Sequence, residues 1–162
     1  MTLSARAQAL IDRLGLLPHP EGGYYRELFR SDTQIRREDG AARSALTTIF
    51  FLLPQGAVSR WHRVHAADEV WHHYEGDPLE LRVLPAQASQ VQSWLLGPLD
   101  AGRPEVLPVH TVPADAWQAA RCLGDYTLVG CTVGPGFDFA DFVMARDLPL
   151  VQRPAALDPE WL

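Results

Sequence analysis

Hydrophobic and polar positions along this chain change period once, near residue 15. Over residues 4–14 the apolar Ala7, Leu10, Ile11 and Leu14 recur at spacings of three and four. That period sets them on one stripe of an α-helix. Ser4 stands at the N-cap position and Gly15 at the stop, with Arg6, Gln8 and Arg13 on the opposite face. The stripe must pack on something, most simply the outside of a sheet. Pro18, Pro20, Gly22 and Gly23 then exclude regular structure as far as Tyr24.

From Tyr24 the period is two. Tyr24, Arg26 and Leu28 alternate with Tyr25, Glu27 and Phe29, which predicts a strand with one polar-aromatic face. Residues 30–43, rich in Arg, Asp, Glu and Gly, read as an exposed, solvated connection. Residues 44–53 are the most apolar run, closed by Pro54 and Gly56. Their Thr, Ile and Phe content favours a buried strand over a helix. Further strands are expected over 79–84, 91–96, 106–112, 116–122 and 126–133, each ended by Pro or Gly. Short strands at spacings of about 8–12 residues, punctuated this way, predict an all-β sandwich or barrel. The chain reads as a single domain over residues 1–162, with its core at 24–145.

One stretch concentrates the chemistry. Residues 56–76 hold four of the six histidines, beside Glu69, Trp61 and Trp71. At period two, Arg60, His62 and Val64 share a face of one strand, and Glu69, Trp71 and His73 share a face of the next. If both faces look inward, His62 and Glu69 meet in a pocket walled by aromatic rings.

Composition narrows the function. A net charge of −6 argues against a nucleic-acid partner, because phosphate binding needs a basic face. The arginines at 30, 36, 37 and 43 are interrupted by Asp32, Glu38 and Asp39. No signal-peptide pattern opens the chain, and no apolar run approaches about 18–20 residues. We therefore expect a cytoplasmic protein with no membrane partner. If Gly124-Asp125 centres a hairpin turn, Cys122 and Cys131 lie out of register, which predicts two buried, reduced thiols.

The motifs carry a resemblance. Gly56, His62, Glu69 and Gly76 fit the frame G-x5-H-x-H-x4-E-x6-G of the first cupin motif, with Val64 at the second histidine. The segment 19–27, His-Pro-Glu-Gly-Gly-Tyr-Tyr-Arg-Glu, is shared with the cupin-5-type family, as are 59–63, 68–72, 76–81 and 134–142. Over residues 5–150 the chain resembles that largely uncharacterised branch. The resemblance implies a double-stranded β-helix, or jelly-roll, barrel with the short N-terminal helix outside and the pocket within.

It also implies a divalent-metal site of three histidines and one glutamate. Here the second motif, P-x-G-x2-H-x3-N, reads Pro113, Asp115, Gln118 and Cys122. His62 and Glu69 remain as strong ligands and Gln118 offers one amide oxygen, so any transition metal is expected to be held weakly. Two functions stay open. The first is binding of a small polar metabolite, such as a sugar or sugar nucleotide, without turnover. Its contacts would come from Arg60, Trp71, His73, Gln118 and Tyr24. The second is catalysis: isomerisation or epimerisation with His62 as general base, Glu69 orienting it and Tyr24 or Tyr74 donating, or a metal-dependent reaction at His62, Glu69 and Gln118. A second titratable group facing His62 would favour catalysis. The open edges of a jelly roll, and the strand near residues 24–29 above all, predict a homodimer.

Overall fold

The amphipathic stripe forms helix α1 (Ala5–Leu14). Ser4 caps it by accepting the Ala7 N–H, and Gly15 ends it at φ 62°. The computed structural model describes residues 3–162. It lays Ala7, Leu10 and Ile11 against Leu52 and Leu128 on the outer face of a sheet.

The strands follow in order: β1 (Leu17–Pro18), β2 (Tyr24–Arg30), β3 (Gln34–Arg36), β4 (Ala42–Ser44), β5 (Thr47–Pro54), β6 (Val58–Val64), β7 (Asp68–Gly76) and β8 (Leu79–Leu84). Then come β9 (Gln92–Leu96), β10 (Val106–Leu107), β11 (Val109–Val112), β12 (Trp117–Cys122), β13 (Tyr126–Gly134) and β14 (Phe142–Met144). Two six-stranded sheets face each other, ordered β1-β2-β5-β13-β7-β11 and β10-β9-β8-β12-β6-β14. Most of the apolar run at 44–53 is the buried strand its composition predicts, starting at Thr47 because Ser44 ends β4: β5 lies between β2 and β13, and Phe51, Leu52 and Leu53 are sealed from solvent.

Consecutive strands β6 and β7 lie in opposite sheets, joined by a corner at residues 65–67 where Ala66 takes φ 52°. His62 and Glu69 therefore face one another across the sandwich. Between the sheets, Trp71, Phe51, Leu79, Leu81, Val83, Leu96 and Val112 fill one end. Outside the second sheet, Trp61, Trp117, Leu157 and Trp161 pack together, so the buried clusters extend past residue 145.

One local expectation is refined and one corrected. Residues 30–43 are mostly exposed, as expected, but within them β3 and β4 form a hairpin tied down through Arg37 and Arg43. Arg37 Nη1 and Arg43 Nε meet Asp141 Oδ2 at 2.9 and 2.7 Å, and the Arg37 side chain is buried. Opposite charges more than ninety residues apart did not register in the local composition. Strands β12 and β13 do not form a hairpin, because Gly124-Asp125 crosses between sheets. Cys122 pairs with Leu79 in one sheet and Cys131 with Trp71 and Ile49 in the other. Both thiols are free and buried, as expected. Beyond Tyr25, the outer edge of β2 pairs with no strand among the described residues, and Leu28 and Phe29 are exposed there.

Candidate active site

The site begins in the loop that carries no periodic signal. Residues 18–23 turn back on themselves through His19 N–H to Gly23 O and Gly22 N–H to His19 O, both 3.0 Å. Gly22 sits at φ 115°, and a Cβ there would fall inside the Val58 carbonyl oxygen. Only glycine lets the loop lie this close to β6. The Arg60 N–H then donates to the Glu21 carbonyl at 2.9 Å, and the Glu21 side chain is folded into the interior.

Strand β6 meets it with a bulge. His62 is opposite Gln118, yet Ser59 is opposite Ala120, so β6 spends one residue more than β12 between those pairs. The extra residue brings Ser59 onto the face of His62 and takes Arg60 off it. Ser59 Oγ donates to Glu21 Oε1 at 2.8 Å, while His62 Nε2 lies 3.2 Å from Glu21 Oε2. His62 Nδ1 is 2.7 Å from the Arg60 carbonyl. A carbonyl only accepts, so Nδ1 carries a hydrogen and Nε2 is the nitrogen that shares a proton with Glu21.

Electrostatics agree with that proton. Burial pushes the Glu21 carboxyl up to about 8, against a smaller opposing pull from Ser59. Burial also lowers His62, with the Glu69 charge and the Arg60 carbonyl acting the other way. At neutral pH Glu21 is thus the acid and His62 the neutral base, one proton between them. Glu69, across the cavity, is raised chiefly by burial. Its Oε2 accepts from Gln118 Nε2 at 2.6 Å, and Gln118 Oε1 accepts from Trp71 Nε1 at 3.0 Å. Because the indole only donates, this chain fixes the orientation of the Gln118 amide.

Glu21, His62 and Glu69 line a cavity of about 370 Å³ walled by Tyr25, Phe51, Phe137, Phe139 and Phe142. His19 belongs to that wall. Its ring is edge-on to Tyr25 at 4.6 Å, and burial holds it neutral, down to about 3. The Cys131 thiol, also lining the cavity, stays protonated because burial and nearby carboxyls push it well up.

Of the residues singled out from sequence, His62 and Glu69 line the cavity together. Gln118 stands behind Glu69 and does not reach the cavity. Trp71 and His73 share the inward face but lie deeper, Trp71 within the packed end. Arg60 is displaced by the bulge. Tyr24 packs under α1 on the outer face of the sheet, and its neighbour Tyr25 faces the cavity instead. Tyr74 is exposed.

Glu21 and His19 were missed as site residues. The available signal was Gly22-Gly23 directly after an acid in a loop too constrained to be idle.

The donors do not fit a metal. Val64 lines the cavity with no ligand atom, and Gln118 has its oxygen committed to Trp71. His65 Nδ1 turns to Asp115 Oδ1 at 2.7 Å, where Asp115 takes φ 62° at the place of the motif's glycine. Among the described residues, no group of three or more His, Cys, Asp or Glu is arranged to hold an ion. No helix of the described residues is long and apolar enough to cross a membrane.

Comparison with known proteins places this geometry. A hypothetical protein of Leishmania major is 33% identical and superposes with a TM-score of 0.80, covering 93% of this chain and 94% of that one. A Shewanella oneidensis protein is also 33% identical, with a TM-score of 0.75 over 89% of this chain and 85% of its own. A dTDP sugar isomerase from Desulfovibrio desulfuricans shares the fold at 12% identity and a TM-score of 0.55, covering 83% of this chain and 89% of that one. No curated protein matches the chain. The Cupin_5 family model, described as cupin superfamily (DUF985), matches residues 8–145. The two facing sheets are the jelly roll of a cupin, and the chain belongs to the Cupin_5 family.

Proposed function

We propose that this cupin binds a small metabolite in the cavity and moves a proton on it, as an isomerase or epimerase does. The observation that carries this reading is the 3.2 Å contact of His62 Nε2 with Glu21 Oε2. A binding pocket needs no proton-sharing pair. A proton-transfer site needs a base and an acid whose affinities are drawn together near neutrality. Here burial raises the acid and lowers the base until one proton serves both. In one state the pair gives that proton to the ligand; in the other it takes one. Glu69, held by Gln118, presents a second carboxyl from the opposite sheet. Tyr25 takes the place in the wall that sequence assigned to Tyr24.

Support for a sugar-like substrate comes from the dTDP sugar isomerase that shares the fold, a likeness of fold alone. Pairing of two copies along the open edge of β2 belongs to the same proposal. Sedimentation at twice 18.0 kDa would support it.

The test is exchange of carbon-bound hydrogen in D2O. The protein is incubated with a pool of small metabolites, which are then read by mass spectrometry. Deuterium should enter a defined compound with the wild type and not with Glu21→Gln. Equal incorporation by both proteins, or none by either, would remove the catalytic reading and leave the cavity as a binding site.

A further inference from the structure

The charges around the cavity point to the class of molecule it takes. Four carboxyl residues line it: Glu21, Glu27, Glu69 and Asp138. Two arginines stand beside them, Arg30 held in an ion pair and Arg26 drawn to the outer side of the sheet. Arg26 shares a register position with Phe50, which packs under α1, and its Nη1 donates to the Leu14 carbonyl at 2.9 Å on that outer side. Arg30 donates through Nε and Nη2 to Glu27 at 3.0 and 2.7 Å, and through Nη1 to the Phe137 carbonyl at 3.0 Å. The rest of the wall is aromatic and aliphatic. Phe137, Phe139 and Phe142 pack edge to face with centroids 5.0 to 6.0 Å apart.

An anion entering this space would lose its water against carboxyl groups, with Arg30 already paired and Arg26 bonded on the outer side, which is strongly unfavourable. A cation fares little better. Glu27 is already paired with Arg30, Asp138 Oδ1 accepts the Ala140 N–H, and burial favours the uncharged form of the inner carboxyls Glu21 and Glu69. We infer that the substrate is uncharged: a molecule with one apolar face for the phenylalanine wall and a hydroxyl or carbonyl group for Glu21 and His62. A free sugar has that form. A nucleotide-linked sugar does not, since its diphosphate would need a free guanidinium.

This inference rests on the cavity being the ligand site proposed above, and not on turnover. Its test is a matched set of probes: benzyl alcohol, benzoate, benzylamine and thymidine diphosphate, titrated at pH 7. The readout is the NMR shift of the Ile49, Val64 and Val133 methyl groups, which line the cavity. Benzyl alcohol should bind most tightly, with benzoate weaker by about tenfold or more. Tighter binding of any charged probe overturns the inference. So does a failure of all four to move those methyls, because an apolar cavity open to uncharged molecules should admit the alcohol. Either failure leaves the deuterium-exchange result standing, which separates the two ideas.

Discussion

The two ends of the sandwich share strands and differ in content. At one end β6, β7, β13 and the 18–23 loop surround an open cavity holding Glu21, His62 and Glu69. At the other, β7, β8, β12 and β13 close on the packed side chains of Trp71, Leu79, Leu81 and Val129. Strand β7 runs through both, carrying Glu69 at the open end, Trp71 in the closed one and His73 beyond. Alternation along a strand sets the face of a residue; what its opposite strand places there sets whether it meets ligand or packing. The closed end serves the open one, because Trp71 holds Gln118 and Gln118 holds Glu69.

The largest effect should come from the open end. Glu21→Gln keeps a hydrogen-bonding group for Ser59 and His62 but removes the shared proton. If the pair is the proton-transfer machinery, exchange should fall by about 100- to 10,000-fold with little change in melting temperature. A loss of rate matched by a loss of fold would make Glu21 a packing residue and dissolve the contrast between the ends.

The closed end should fail in the opposite sense. Trp71→Ala empties a fully buried site and should cost about 3–5 kcal/mol in stability, read by chemical denaturation. Trp71→Phe fills most of the volume but leaves Gln118 Oε1 without its donor. It should cost about 1–3 kcal/mol. If the relay matters, it should also shift the pH profile of activity, which repacking alone would not do.

Much of this architecture was legible in the sequence. The helix with both its caps, most of the buried strand at 44–53 and the inward pair His62 and Glu69 follow from period and motif. Three features did not follow, each for a physical reason. Parity put Arg60 beside His62, but a single extra residue in β6 exchanged it for Ser59, and a bulge leaves no mark in the hydrophobic pattern. Alternation placed Tyr24 and Tyr25 on opposite faces without saying which face is inside. Only the helix lying over Tyr24 decides that. Glu21 sits in a loop whose conformation is set by a distant backbone contact, Gly22 against Val58, and no local period reports such a contact.

The pH dependence of stability tests whether the buried pair carries the charges described. Glu21 titrates at about 8 in the folded protein and from a usual value of 4.5 when unfolded. Its contribution is complete below 4.5 and lost as pH rises towards 8. His19 runs the other way: lowered from 6.5 to about 3, it favours the fold above 6.5 and loses that contribution as pH falls towards 3. Between 4.5 and 6.5 the two slopes oppose, which predicts a plateau. From 6.5 to 8 Glu21 acts without His19, and stability should drop by about 2 kcal/mol. Denaturation of Glu21→Gln across that window should lack this drop. An equal fall in both proteins would assign it to other groups, with Glu69 the first candidate, since burial raises it as well.

The smallest effect should come from His73, and it sharpens the comparison most directly. His73 lies on the same inward face as Glu69, two positions beyond Trp71, and sequence gave it a ligand contact. In the structure it lines no part of the cavity, and its Nε2 is buried without a hydrogen-bond partner among the described residues. A buried polar atom left unpaired weakens the fold by about 1–3 kcal/mol relative to one that is satisfied. Replacing the ring with an apolar side chain removes that atom while giving up part of the packing. The two terms largely offset, so His73→Leu should shift stability by no more than about 1 kcal/mol in either direction. It should leave benzyl alcohol binding and deuterium exchange unchanged. Glu69→Leu, at the equivalent place in the open end, should abolish exchange. If His73→Leu instead disables the site, His73 reaches the ligand through motion of the closed end, and the boundary drawn at Trp71 is in the wrong place.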